Sequence, residues 1–84
     1  MSSPQLTLIG KPGCHLCDDA RAVVASVMTE FAGVTLSELS ILDDPDLHAK
    51  YVEEIPVLLV DGAVHTIWRV DPDRLRVALR KASQ

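Results

Sequence analysis

The apolar residues of this chain change their spacing in a definite order, and that order constrains the fold more than any single residue does. Residues 5–10 (QLTLIG) place Leu6 and Leu8 on one face, which is the two-residue period of a strand. From about Cys14 the spacing changes to steps of three and four residues, which predicts a helix that ends at Gly33. The apolar positions of this helix are Leu16, Ala20, Val23, Val24, Val27, Met28 and Phe31.

The rest of the chain predicts five further elements. The first is a strand within 34–42 with Leu39 and Ile41 on one face, and a short helix over 45–52 with Leu47 and Tyr51 inward follows it. Two strands come next, over 57–60 and 63–69. The last element is a helix over 71–81, whose buried residues are Leu75, Ala78, Leu79 and Ala82. Asp44 is a good N-cap and Pro45 suits the first helical position. Asp61-Gly62 is a favoured two-residue hairpin turn.

The resulting order, β-α-β-α-β-β-α, defines an α/β fold class. A strand–helix–strand unit makes its two strands parallel with a right-handed crossover, whereas the hairpin is antiparallel. We therefore expect a mixed four-stranded sheet with helices on both faces. A chain of 84 residues has room for one domain, residues 1–84.

Composition and charge exclude several classes of protein. A chain with 48% hydrophobic and 24% charged residues is globular in composition. Its net charge of −4 lacks the basic surface that binds nucleic acid. The apolar run over 56–60 is far too short to span a membrane. The first five residues do not resemble a secretory signal, so we expect a cytoplasmic protein. We also expect a monomer with no nucleic-acid or membrane partner.

The spacing of the two cysteines indicates a reactive pair and not a structural disulfide. A bridge between Cys14 and Cys17 would close a very small loop, and stabilisation by loop closure grows with loop length. The pair lies where a loop passes into a helix, and free backbone N–H groups and the helix dipole stabilise an anion there. The thiolate is the nucleophile of disulfide exchange. We therefore predict Cys14 as the attacking and Cys17 as the resolving cysteine.

A zinc site is the main alternative for this cysteine spacing. Zinc in a structural site takes four ligands, yet the chain has two cysteines and three histidines, His15, His48 and His65, spread along it. We expect no metal site and no bound cofactor, with His48 and His65 at the surface.

The segments GKPGCHLC, DDPDL and EEIPVLLVDG, in this order, resemble the thioredoxin superfamily and in particular its small glutaredoxin-like proteins. The resemblance covers nearly the whole chain. It implies a cis peptide bond before Pro56, with Ile55 and Pro56 lining a substrate groove next to Cys14; the alternative for Pro56 is a simple strand-start residue. It also implies that Lys11 and Asp71 contact the substrate and that glutathione is a possible co-substrate.

The chain is a divergent example of this resemblance. The interior of its motif is His15-Leu16, no glycine pair precedes the last helix, and Gly13 stands where thioredoxins have a tryptophan. His15 either favours the thiolate of Cys14 as an imidazolium next to it and contacts the substrate, or is an exposed turn residue with little influence.

Two further features have alternative interpretations. Trp68 either packs against the last helix, which we favour, or forms an aromatic wall near the groove. The basic residues of the last helix form either a solvated face, which we favour, or a docking surface for an acidic partner. They are Arg74, Arg76, Arg80 and Lys81.

Together these observations predict a thiol-disulfide oxidoreductase. It would reduce protein or low-molecular-weight disulfides through a mixed disulfide on Cys14, and glutathione or a flavin-dependent reductase would supply the electrons. Two alternatives from other classes remain open. One is a metal or iron–sulfur binding protein that uses Cys14, and the other is a thioredoxin-fold adaptor whose cysteines are idle.

Overall fold

A computed structural model describes residues 3–83 of the chain. Its elements, in chain order, are β1 (Gln5–Gly10), α1 (His15–Met28), β2 (Thr35–Ser40), α2 (Pro45–Tyr51), β3 (Val57–Val60), β4 (Ala63–Ile67) and α3 (Pro72–Ala82). The order β-α-β-α-β-β-α is the predicted one. Strand β2 lies within the predicted range 34–42, and β4 ends two residues earlier than predicted.

The four strands form one mixed sheet in the order β2-β1-β3-β4. Strand β1 is parallel to β2 and antiparallel to β3, and β3 is antiparallel to β4. The predicted thioredoxin-like fold class is confirmed. An irregularity at Leu58/Leu59 leaves His65 of β4 without a partner on β3, which is the arrangement of a β-bulge.

Two apolar clusters cover the two faces of the sheet. Helices α1 and α3 share one face, where the buried residues are Leu6, Leu8, Ala20, Val24, Val27, Leu58, Leu75 and Leu79. Helix α2 covers the other face, where they are Ile9, Ile41, Tyr51 and Val57. The alternation along β1 explains this division, because Leu6 and Leu8 point to one side and Ile9 to the other.

Hydrogen bonds and backbone conformation fix the start of α2 and the turn of the hairpin. The Asp44 carboxylate accepts the N–H of Asp46 at 2.9 Å and so caps α2, with Pro45 in its first turn. Asp61 and Gly62 have φ angles of 50° and 85°, as the two-residue turn between β3 and β4 requires. Asp61 also accepts the backbone N–H of Gln5 at 2.8 Å, which ties the turn to the start of β1.

Helix α1 ends earlier than predicted. The sequence predicted an end at Gly33, but the last helical residue is Met28. The Thr29 hydroxyl donates to the Ser26 carbonyl at 2.7 Å, and the N–H groups of Glu30 and Phe31 bond to carbonyls three residues back. These tighter bonds replace the helical pattern with turns, although Phe31 still packs against the larger cluster as its spacing predicted.

Of Leu39 and Ile41, predicted on one face of β2, only Leu39 lies within the strand, where it is paired with Ile9 of β1. Strand β2 ends at Ser40, so Ile41 lies beyond it and is buried beside Tyr51. Leu39 is 45% exposed. It lies on an edge strand, where one side of the backbone has no neighbouring strand to cover it.

No helix within residues 3–83 combines the length and the apolar composition that crossing a bilayer requires.

Helix α3 offers a test of the larger cluster. Leu79 is fully buried, so Leu79→Ala should lower the free energy of unfolding by about 2–5 kcal/mol. Val77, two residues earlier, is 46% exposed, and Val77→Ala should change it by no more than about 0.5 kcal/mol. Urea unfolding followed by circular dichroism measures both. Equal losses in the two variants would contradict this account of the core.

Candidate redox site

Cys14 lies at the N-terminal cap of α1. Its backbone is extended, with φ −93° and ψ 114°, and its Sγ accepts the backbone N–H of Cys17 at 3.2 Å. Its carbonyl accepts the N–H of Asp18 at 3.0 Å, which closes the first helical turn. An N-cap side chain normally satisfies one of the free N–H groups of a helix, and here a sulfur does so.

The two sulfurs lie in different environments. Cys14 is half-buried and Cys17 is 1% exposed, and both are free thiols. Burial raises the pKa of the Cys17 thiol to about 11, and the hydrogen bond with Cys14 acts in the same direction. A bond from the Lys11 backbone N–H opposes this rise in the pKa. Cys17 is therefore a neutral thiol at pH 7, and Cys14 is the accessible sulfur.

Gly10 makes room for the buried sulfur. A Cβ atom added to Gly10 would lie 2.8 Å from the Sγ of Cys17, closer than such atoms approach one another. Gly10 has no left-handed backbone conformation, so it is this contact that requires a glycine. Gly10 was not predicted to be part of the site. The available signal was a glycine at the end of a buried strand, which often marks a close approach.

Pro56 lies at the same edge of the sheet as the cysteines. The Ile55–Pro56 peptide bond is cis. Val57 is paired with Ile9 across β3 and β1, so Pro56 comes level with Gly10, where the loop to Cys14 begins. Pro56 itself is less than 2% exposed, and its carbonyl accepts the N–H of Trp68 at 2.8 Å. This bond holds the chain after β4 against the start of β3.

Trp68 does not pack in the core, and the interpretation that the sequence favoured was wrong. The residue is 54% exposed, and its indole Nε1–H donates to the Glu53 carbonyl at 3.0 Å. Its φ of 68° lies in the left-handed region. The chain leaves β4 through this turn, so Trp68 no longer follows the strand alternation that would direct it toward α3.

Leu16 also departs from the prediction. The sequence placed it in the buried stripe of α1, but it is 42% exposed, because the buried face of the helix is formed by Cys17, Ala20 and Val24. Leu16 and Trp68 both line a cleft of about 290 Å³, which we call the Leu16–Trp68 cleft. Its lining residues are Leu16, Asp19, Ala20, Val23, Trp68, Arg69 and Val70.

A second cavity, of about 420 Å³, extends to Cys17. Lys11 lines it together with Cys17. Arg21 bridges two carboxylates in its wall, with contacts of 2.8 Å to Asp18 and 2.5 Å to Glu38. All three side chains are about half exposed, so this network contributes little to stability.

The other residues predicted for the site differ in their exposure and in their contacts. Lys11 and His15 are exposed on either side of Cys14. Ile55 is half-buried and packs against the smaller apolar cluster. Asp71 caps α3, where its carboxylate accepts the N–H groups of Asp73 and Arg74 at 2.9 and 3.2 Å. Their contacts with a substrate stay predictions.

The histidines are dispersed, and within residues 3–83 no group of three or more His, Cys, Asp and Glu side chains could hold a metal ion. His48 is exposed, whereas His65 is half-buried and lines a groove with Arg74 of α3. Burial and the charge of Arg74 both lower the pKa of His65.

Comparison with known families agrees with this geometry. The model of the glutaredoxin-like domain (DUF836) matches residues 5–80. The chain belongs to the glutaredoxin-like domain family. Among curated proteins, this glutaredoxin-like chain is 29% identical to an uncharacterized protein of Mycobacterium tuberculosis, over 99% of this chain and 90% of that protein.

Solved structures share the fold of the chain. A structural-genomics target protein from X. campestris is 34% identical and superposes with a TM-score of 0.73, over 90% of this chain and 96% of that one. A protein from Nitrosomonas europaea has a TM-score of 0.80 at 22% identity, over 94% of each chain. Mitochondrial thioredoxin 3 from Saccharomyces cerevisiae, in its oxidized form, shares the fold with a TM-score of 0.68 at 13% identity, over 96% of this chain and 80% of that one.

The contact between Gly10 and Cys17 leads to a prediction. Gly10→Ala should destabilise the protein by about 1–3 kcal/mol, because the added methyl group overlaps a sulfur that cannot move into solvent. The cost should fall in the Cys17→Ala background, where the sulfur is absent. A double-mutant cycle based on urea unfolding of the reduced protein measures the difference. The same cost in both backgrounds would show that the contact is not responsible.

The pKa of Cys17 predicts how stability depends on pH. A thiol that titrates near 9.0 when unfolded and near 11 when folded binds its proton more tightly in the native state. Its contribution to stability is therefore complete below pH 9 and is lost as the pH rises toward 11, by at most about 1.4 kcal/mol per pH unit. Unfolding of reduced wild-type protein and of Cys17→Ala between pH 8 and pH 11 tests this, since only the wild type should show this part of the decline.

Proposed function

We propose that this glutaredoxin-like protein is a thiol-disulfide oxidoreductase that uses Cys14 and Cys17 as a dithiol. The observation that supports this most directly is the position of the Cys14 sulfur. It lies at the start of α1 and accepts a backbone N–H, while Cys17 is buried one turn behind it. This position leaves the Cys14 sulfur accessible to a substrate disulfide, while burial keeps residue 17 protonated until it is needed.

The reaction proceeds by two exchanges of sulfur bonds. The Cys14 thiolate attacks one sulfur of a substrate disulfide, that S–S bond breaks, and the leaving sulfur departs as a thiolate that takes up a proton. Cys17 then loses its proton and attacks the Sγ of Cys14, which releases the second substrate sulfur. The products are the reduced substrate and a Cys14–Cys17 disulfide. Two electrons have passed from the protein to the substrate.

Two electrons must return to the protein for a second turnover. Two molecules of glutathione can supply them and leave as glutathione disulfide, or a flavin-dependent reductase can do so. Neither route needs a cofactor bound to this chain. The active form is the dithiol, which suits the cytoplasm, where thiols are kept reduced.

Substrate contacts are proposed for the edge of the sheet that carries Pro56. The backbone around Ile55 and Pro56 would pair with the extended chain next to the substrate cysteine, in the manner of an added strand. Lys11 and His15 are exposed beside Cys14 and available to polar groups of the substrate. Asp71 already accepts two N–H groups, but a carboxylate has further lone pairs that can accept a bond from substrate.

Replacement of each cysteine should give a different result. Cys14→Ser should abolish reduction of insulin disulfides, because the attacking sulfur is lost. Cys17→Ser should accumulate a mixed disulfide on Cys14, because resolution is lost. Insulin turbidity measures the first effect. Mass spectrometry of the trapped adduct, before and after a reductant is added, measures the second.

Ser26→Ala, on the exposed part of α1, is a matched control that should behave as the wild type. Circular dichroism establishes that each variant is folded. Wild-type turnover by Cys14→Ser would refute the proposal, and a wild-type protein that reduces no disulfide would favour an adaptor with idle cysteines. A coloured protein as purified would favour an iron–sulfur protein instead.

A further inference from the structure

The walls of the Leu16–Trp68 cleft contain two large apolar side chains that are exposed. Leu16 and Trp68 are 42% and 54% exposed, and both line the cleft. Leu16 is two residues from Cys14, and the proposed reaction bonds the substrate cysteine to Cys14, so this surface would lie near that cysteine. We propose that the cleft receives an apolar side chain adjacent to the reacting cysteine of a protein disulfide. The inference rests on the oxidoreductase function and specifies its substrate.

The position of the cleft follows from its two walls. Leu16 is in the first turn of α1, between the two cysteines, so one wall begins at the redox pair itself. Trp68 is in the opposite wall, and its backbone N–H bonds to the Pro56 carbonyl. A peptide whose cysteine is bonded to Cys14 and whose backbone follows the start of β3 therefore passes the mouth of the cleft.

The chemistry of the cleft favours an uncharged apolar group. Ala20, Val23 and Val70 are apolar lining residues. The charged lining residues are Asp19 and Arg69, of opposite sign, and neither forms an ion pair within residues 3–83. The cleft is therefore electrically balanced. Glutathione, with two carboxylates and one ammonium group, carries a net negative charge that this lining does not match.

The size of the cleft agrees with a side chain as the occupant. Its volume of about 290 Å³ lies at the lower limit of the ~300–1,000 Å³ that holds a whole small-molecule ligand. A leucine or phenylalanine side chain needs less room than a tripeptide. The remaining atoms of a protein substrate would lie outside, along the Pro56 edge.

The wall that contains Trp68 is held in place before any substrate arrives. A tryptophan with φ of 68° is unfavourable and persists only where its surroundings fix it, which happens most often at functional sites. Three hydrogen bonds do so here. They are Trp68 N–H to Pro56 O at 2.8 Å, Trp68 Nε1–H to Glu53 O at 3.0 Å, and Arg69 N–H to Ile67 O at 2.8 Å. A preformed wall reduces the entropy lost on binding.

The test compares three disulfide substrates within each protein variant. Two are peptide disulfides that differ only in having leucine or serine next to the cysteine, and the third is glutathione disulfide. Wild-type kcat/KM should favour the leucine peptide over the serine peptide by about 5- to 10-fold, as partial burial of one apolar side chain allows. Leu16→Ser and Trp68→Gly should each bring this ratio close to one. Glycine suits the left-handed backbone at residue 68, so this variant removes the indole without adding strain.

Leu42→Ser is the matched control, since Leu42 is 65% exposed and does not line the cleft; it should keep the wild-type ratio. Because the ratio is taken within one variant, a general loss of rate cancels. A wild-type ratio of one would overturn the inference while leaving the oxidoreductase function intact, and so would a preference for glutathione disulfide that Leu16→Ser removes. Failure of the wild type to reduce all three substrates would instead overturn the proposed function, and the inference with it.

Discussion

The contact between the Cys17 sulfur and the backbone of Gly10 is the constraint on which the arrangement of the site depends. Gly10 ends β1 and Cys17 lies in the first turn of α1, so the contact fixes the helix start against the sheet edge. With Cys17 held inside, its backbone N–H is directed at the Sγ of Cys14, which leaves the second sulfur at the surface. The difference in burial between two cysteines only three residues apart follows from this one approach.

The rest of the fold brings other segments to the same edge. The pairing of β1 with β3 sets Pro56 level with Gly10, and the Trp68–Pro56 hydrogen bond brings the segment before α3 alongside. The two apolar clusters stabilise the sheet that carries these segments. Side chains at this edge can therefore differ among proteins of the fold while the sheet stays the same, which agrees with identities as low as 13% among the structural neighbours.

Elements with a strong local signal were predictable from the sequence. The alternation in β1, the Asp44-Pro45 cap of α2 and the Asp61-Gly62 turn each depend on neighbouring residues, and the structure has all three. The positions of Leu16, Leu39 and Trp68 were not predictable in this way, because their exposure depends on which elements cover them. For Trp68 the decisive feature is a left-handed backbone, which sequence patterns associate with glycine or asparagine. Gly10 acquires its role only from a sulfur seven residues later.

Trp68 has a practical consequence beyond recognition. It is the single tryptophan of the chain, and it combines an exposed indole with a fixed hydrogen bond to Glu53. The tryptophan fluorescence of the protein therefore originates at one place, next to the start of β3, and not from a mixture of sites. Its emission offers a label-free optical signal of events at this edge of the sheet, on a background free of other indoles.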